Sequence, residues 1–169
     1  GFPSLFRADG RKVQVDSWGA RQVSTTSGAL GNTMAAFLSD QMNGTASNEL
    51  FLLLGTNNYG IGGQSKATFK TYYQNMLDGI IAIRPDIIIY CVSMFNRATY
   101  DTGNASGAFG DDFADAIEEL CLTRPTTRFI YGKNALSLAN TVDGAQLHPN
   151  QTGMQQIHDS LLVYYNALQ

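Results

Sequence analysis

The chain has 169 residues, of which 44% are hydrophobic and 15% charged, and its formal net charge is −3. This length fits one globular domain with a substantial core. The longest apolar runs, residues 50–54 and 87–92, are far shorter than the roughly 18 residues that a membrane span needs. The slightly negative charge gives no electrostatic reason to expect nucleic acid, and no basic leader followed by an apolar stretch opens the sequence.

Short apolar runs alternate along the chain with longer segments of helical periodicity. In chain order, the predicted elements are a strand over 12–15, a helix over 30–42, a strand over 50–54, a helix over 66–83, a strand over 86–92, a helix through 113–120, a strand over 128–131 and a last helix that Thr152 caps. Continuously apolar strands separated by helices indicate a parallel sheet covered on both faces. We therefore expect one α/β domain over residues 1–169, with four to five strands sandwiched by helices and a site at the carboxyl ends of the strands.

Polar residues follow the apolar strand predicted over 50–54. The strand ends abruptly at Gly55, and Thr56, Asn57 and Asn58 come next. A side-chain amide at the carboxyl edge of a sheet stabilises the oxyanion of a tetrahedral intermediate, where one donor lowers the barrier by roughly 3–4 kcal/mol. The alternative is that Asn57 and Asn58 only form a turn, and these residues alone leave both interpretations open.

A histidine precedes the last predicted helix. The chain has two histidines, of which His158 lies inside that helix and is most simply a surface residue. His148 lies in a loop, with Pro149 after it and Asp143 five positions before it. A histidine held by an aspartate is the base and its orienting partner in a serine-hydrolase triad.

These two motifs, in this order, resemble those of the SGNH (GDSL-like) hydrolase superfamily. Its third block, Gly-x-Asn-Asp after a strand, is matched from Gly55 to Asn58, with Asn58 in place of the final Asp. Its fifth block, Asp-x-x-His before the last helix, is matched by Asp143 and His148 with two additional intervening residues. The sequence that follows, Pro149-Asn150-Gln151-Thr152-Gly153, looks very like the usual ending of this block.

The resemblance implies a flavodoxin-like α/β fold and a reaction that needs no metal or other cofactor. By position, Asn57 would donate its amide to the oxyanion, and His148 would be the general base. Asp143 would orient His148 and stabilise its cationic form. The two additional residues affect the role of Asp143, because an insertion changes where its carboxylate lies relative to the imidazole of His148.

The nucleophile is open between two alignments, because residues 13–21 must supply both the first family block, Gly-Asp-Ser, and the second, a lone glycine. In the first alignment, Ser17 belongs to the Gly-Asp-Ser block and is the nucleophile. In the second, the backbone N–H of Gly19 helps to bind the oxyanion, and residues 2–6 resemble the helix that follows the first block. The first strand and its serine then lie upstream of this chain, and either another polypeptide supplies that strand or the sheet closes up without it.

The expected function is a serine esterase that hydrolyses small acyl esters, with carbohydrate O-deacetylation favoured and an acetylated glycan as substrate. No membrane partner is expected, and the sequence is compatible with a homo-oligomer. The richness in Gly, Asn, Ser and Thr suits an extracellular or virion-surface protein. The alternative is a catalytically inactive SGNH-like module that binds glycans or forms part of a larger assembly. Three departures favour that alternative: the absent Gly-Asp-Ser, Asn58 in place of an acid, and the longer Asp-to-His spacing.

Overall fold

The computed structural model describes residues 5–6, 12–13, 49–60, 63–142 and 148–168. Within them, the strands are β1 (Leu5–Phe6), β2 (Lys12–Val13), β3 (Glu49–Leu53), β4 (Ile88–Val92) and β5 (Thr127–Ile130). The helices of the same residues are the single turn α1 (Thr56–Tyr59), α2 (Lys66–Ile83), α3 (Gly110–Cys121) and α4 (Gln151–Ala167). Two 3₁₀ turns, Lys133–Ala135 and Leu138–Asn140, lie between β5 and α4.

The strands β3, β4 and β5 form a parallel sheet with β4 in the middle. Leu50 lies opposite Ile89 in this sheet, and Ile89 lies opposite Thr127. The predicted parallel sheet is confirmed, and three of its four to five expected strands lie within the described residues. The prediction of a strand buried on both faces holds for Ile88–Val92, four of whose five residues are buried, whereas Asp86 lies in the turn before it.

The two faces of the sheet have separate apolar cores, because successive side chains of a strand point to opposite faces. On one face Leu52 and Cys91 join the buried side chains of α2 and α3, including Phe69 and Phe113. The other face carries a smaller core, formed by Tyr90, Val92, Ile130 and Tyr165. Tyr165 belongs to α4, so helices cover the sheet on both sides as expected.

The ends of the helices follow local capping chemistry. The hydroxyl of Ser65 accepts a hydrogen bond from the Thr68 N–H at 3.2 Å and so begins α2, which has the bounds predicted for it. The prediction that Thr152 caps the last helix is wrong. Asn150 is the cap of α4, and its side-chain oxygen accepts from the Gly153 N–H at 2.9 Å.

The strands near the start of the sequence form a pair of their own. β1 and β2 are antiparallel, with Leu5 opposite Val13 and Phe6 opposite Lys12. The strand predicted over 12–15 is present at Lys12 and Val13, but its expected place in the parallel sheet is wrong, because it pairs antiparallel with β1 in a separate two-stranded sheet. The expectation that residues 2–6 form a helix is wrong at Leu5 and Phe6, where pairing with β2 outweighs local helix preference. The helix predicted over 30–42 lies outside the described residues.

In the described part of the chain, no helix has both the length and the apolar character required to cross a membrane.

Candidate active site

The three parallel strands end side by side, and the residues that follow them form what we call the carboxyl edge. It comprises residues 54–60 after β3, residues 93–101 after β4 and residues 131–133 after β5. In open α/β sheets, ligands bind at this edge. The polar residues of the carboxyl edge are therefore the candidates for chemistry.

Asn57 lies in α1, directly beyond the end of β3. Gly55 makes this position possible, because its φ of +124° strains residues that carry a Cβ. A Cβ at Gly55 would also lie 3.3 Å from the ring of Phe69. The chain then turns at once into α1, where the Tyr59 N–H donates to the Gly55 carbonyl at 2.9 Å. The result is a single helical turn that places the half-buried Asn57 on the carboxyl edge.

Asn58, which stands where the superfamily pattern has an acid, is fully buried. Its side-chain Nδ2 donates to Oε1 of Gln64 at 3.0 Å, and the Gln64 N–H donates to its backbone carbonyl at 3.0 Å. An ionised carboxylate in a buried position is costly without a charged partner. A neutral amide paired with Gln64 suits this position, and it fastens the segment after α1 to the turn.

His148 lies at the same edge, because α4 runs opposite to the strands. Tyr165, near the end of α4, donates its hydroxyl proton to Oε2 of Glu49 at 2.9 Å, at the start of β3. The helix has 17 residues and is therefore about 25 Å long, so its first turn reaches towards the ends of the strands. His148 is exposed and precedes this first turn by three positions.

Backbone contacts tie the segment around His148 to the first turn of α4. The His148 carbonyl accepts from the Val142 N–H at 2.8 Å, and the Asn150 N–H donates to the Asn140 carbonyl at 2.8 Å. A Cβ at Gly153 would lie 2.4 Å from that carbonyl oxygen, so this approach requires glycine. The position of His148 is thus fixed from both sides by main-chain contacts.

The described residues place Asn57 directly after β3 and His148 just before α4, whose direction points its first turn towards the same edge of the sheet. Ser17, Gly19 and Asp143 lie outside the described residues, so their predicted roles stay predictions. Within the described part of the chain, no group of His, Cys, Asp and Glu side chains is placed to hold a metal ion.

Sequence reasoning missed a polar network that joins the loops of the carboxyl edge. Asp111, in the first turn of α3, accepts from the hydroxyls of Tyr100 at 3.2 Å and Tyr131 at 2.6 Å. Lys133 pairs with Asp101 at 2.7 Å and lies 4.6 Å from the centre of the Tyr100 ring. The hydrogen bond to Asp101 raises the pKa of Lys133, so the ammonium stays charged. This network holds the segments after β4 and β5 in fixed relative positions.

A close backbone approach supports the same two segments. The Gly132 N–H donates to the buried hydroxyl oxygen of Ser93 at 2.8 Å. A Cβ at Gly132 would lie 2.1 Å from the Ser93 carbonyl oxygen, a distance no side chain tolerates. Ser93 is therefore a structural serine at this edge, since the residue is 1% exposed and its hydroxyl oxygen accepts from the backbone.

Solved structures share this architecture. A carbohydrate esterase family 3 structure from Talaromyces cellulolyticus aligns with a TM-score of 0.63 and 18% identity, over 88% of this chain and 68% of that one. An acetyl esterase mutant with acetate ion aligns with a TM-score of 0.65 and 17% identity, again over 88% and 68%. The chain has the SGNH hydrolase fold.

The SGNH fold extends to a larger protein as well. A salicylyl-acyltransferase from a tetracycline biosynthetic pathway aligns with a TM-score of 0.64 and 16% identity, over 82% of this chain. The chain spans only 42% of that protein's length. No protein-family model matches the sequence, and no curated protein sequence does either. At these identities the likeness establishes the SGNH fold.

Proposed function

We propose that this chain is an SGNH-type serine esterase that hydrolyses small acyl esters, with O-acetylated carbohydrate as its substrate class. The proposal is supported most by two facts: Asn57 directly follows β3, and His148 precedes α4, whose far end bonds through Tyr165 to Glu49 at the start of β3. Two structurally similar proteins are a carbohydrate esterase and an acetyl esterase, which supports a small acyl group on a sugar.

The proposed reaction is acyl transfer to a serine followed by hydrolysis. Ser17, or a serine upstream in the second alignment, attacks the ester carbonyl while His148 accepts its proton. The Gly19 N–H and the Asn57 amide stabilise the oxyanion, and His148 then protonates the leaving alcohol. Water attacks the acyl-enzyme in the second half of the reaction, again with His148 as base.

Asp143 is the proposed orienting carboxylate despite the longer spacing to His148. Val142, which precedes Asp143 in sequence, donates its N–H to the His148 carbonyl at 2.8 Å. Thr141 and Pro149 form a bridge just outside this bond. Because these contacts close the loop at its base, two additional residues lengthen the loop without separating its two ends. This closure supports the assignment of Asp143.

The alternative of an inactive glycan-binding or structural module keeps two observations in its favour, the absence of a Gly-Asp-Ser block and the longer spacing between Asp143 and His148. The replacement of the family acid by Asn58 does not favour it, because Asn58 is fully buried and bonded to Gln64. Its side chain supports the turn. The nucleophile therefore separates the two functions.

An active-serine fluorophosphonate probe, followed by peptide mapping, tests the proposal. We expect one label on Ser17, its loss in Ser17→Ala and its retention in Ser160→Ala, where the serine lies within α4. The native chain and Ser160→Ala should also hydrolyse p-nitrophenyl acetate. The absence of both labelling and hydrolysis in the native chain would exclude catalysis by this chain alone.

A further inference from the structure

The loop after β4 holds the helical turn that carries Asn57. Nη1 of Arg97 donates to the Thr56 carbonyl at 3.2 Å, and Thr56 immediately precedes Asn57. The Arg97 guanidinium also lies 5.2 Å from the centre of the Tyr59 ring, within the range of a cation–π interaction. One side chain thus contacts α1 on both sides of Asn57.

Tyr59 is a rigid support for this contact. Its side chain is fully buried and meets the ring of Phe113 edge-on at 5.4 Å. The Tyr59 hydroxyl donates to the Thr99 carbonyl at 2.5 Å, so the ring is fixed to the same loop that carries Arg97. Burial raises the pKa of Tyr59, which keeps its hydroxyl a neutral donor. The Tyr59 ring therefore has a fixed position against which the Arg97 guanidinium packs.

Gly60 leaves the space that the guanidinium occupies. A Cβ at Gly60 would lie 2.7 Å from Nη1 of Arg97. The φ of Gly60 is −79°, which any L-residue adopts, so the backbone does not require glycine there. Clearance for Arg97 is the structural reason for glycine at this position.

We propose that Arg97 is a positioning residue that holds α1 so that the Asn57 amide meets the oxyanion of the reacting ester. The inference rests on the proposed function. A charge-assisted hydrogen bond from Arg97 fixes the carbonyl before Asn57, and the rigid ring of Tyr59, two positions after Asn57, holds the guanidinium in place. A displacement of a catalytic group by about 1 Å can lower the rate by about 10²-fold. Because α1 has only four residues, we expect the contacts of Arg97 to keep the Asn57 amide in position, and we call these contacts the clamp.

Steady-state kinetics with p-nitrophenyl acetate test the catalytic part. We expect Arg97→Met to lower kcat by about 10- to 100-fold with little change in KM, and Arg97→Lys to recover part of the loss, since lysine keeps the charge without the planar donor. Gly60→Ala should reproduce much of the defect by displacing the guanidinium. Arg128→Met is the matched control, because Arg128 also donates to backbone carbonyls but at the start of β5.

A double-mutant cycle distinguishes positioning from a general structural role. If Arg97 acts through Asn57, Arg97→Met should change kcat little in the Asn57→Ala background, so the two effects are strongly non-additive. Full additivity would overturn the proposal. If the native chain is active, an unchanged kcat in Arg97→Met would also overturn the proposal.

Hydrogen exchange tests the clamp even if the native chain proves inactive. The Tyr59 and Gly60 amides donate to the Gly55 and Thr56 carbonyls of the turn. We expect Arg97→Met to speed their exchange by about tenfold or more, and Arg128→Met to leave both unchanged. Unchanged exchange in Arg97→Met would overturn the inference. Faster exchange with no native hydrolysis would support the clamp and refute the esterase.

Discussion

Asn57 is the residue whose chemistry links the helical turn to the reaction. Asn57→Ala removes the proposed side-chain oxyanion donor, and such a loss lowers kcat by about 10²- to 10³-fold. KM should change little, since the amide acts mainly on the tetrahedral intermediate. Kinetics with p-nitrophenyl acetate and a thermal melt measure both effects. A melting temperature close to that of the native chain would separate catalysis from folding.

Asn166→Ala is the control for the Asn57 experiment. Asn166 is exposed near the end of α4, far from the carboxyl edge. It should retain native kcat and native stability. If Asn57→Ala were as active as Asn166→Ala, the oxyanion role of Asn57 would be wrong.

Asn57 could be singled out from the sequence and Arg97 could not, because the residues that define their surroundings lie at different distances along the chain. Asn57 was found because Gly55 and Thr56 precede it directly and a strand precedes both. Arg97 was missed because its hydrogen-bond acceptor, the Thr56 carbonyl, is 41 positions away in sequence. A single cation in the loop after β4 was the only local signal. Contacts of this range emerge once the strands are placed side by side.

At the scale of the elements, the start of α4 governs the position of His148. Asn150 caps this helix, while Thr152 is exposed in its first turn. We expect Asn150→Ala to lower the free energy of unfolding by about 1 kcal/mol, and Thr152→Ala to change it far less. Chemical denaturation of the two variants measures the difference. Equal destabilisation by both substitutions would contradict the assignment of the cap.

Asn150→Ala should also affect catalysis, because His148 lies two positions before the cap. A frayed first turn weakens the main-chain contacts that fix His148. We therefore expect a lower kcat in Asn150→Ala at a temperature where the chain remains folded. Thr152→Ala is the matched control and should keep the native value.

Element bounds were predictable where the local signals agreed. The bounds of α2 match the prediction because Ser65 caps the helix and Pro85 follows its end. The start of α4 was misplaced because two residues with capping side chains, Asn150 and Thr152, lie two positions apart. The sequence alone does not decide which of them has the extended backbone of a cap. At Leu5 and Phe6 the strand depends on pairing with β2, which no local helix or strand propensity encodes.

At the scale of the whole molecule, the order of the elements was the strongest predictor of the fold. Apolar strands alternating with helices indicated a parallel sheet covered on both faces, and β3, β4 and β5 with their flanking helices confirm it. The carboxyl edge of that sheet was likewise predictable, since Asn57 directly follows β3 as expected. The sequence did not fix the nucleophile, because residues 13–21 match two blocks of the superfamily at once.

The similar structures show that this fold occurs in proteins of different length. The chain aligns over 68% of two esterases and 42% of an acyltransferase, so the same sheet belongs to proteins of quite different length. Their common element is the α/β sheet. In this chain, His148 is the residue on which every step of the proposed reaction depends.

The most direct test is therefore a comparison of the two histidines. His148 precedes α4 at the carboxyl edge, whereas His158 is exposed within α4 and pairs with Asp159 at 2.9 Å. The kcat/KM for p-nitrophenyl acetate should fall by about 10³-fold or more in His148→Ala and stay near the native value in His158→Ala. An equal loss in both variants, or an active His148→Ala, would contradict the account.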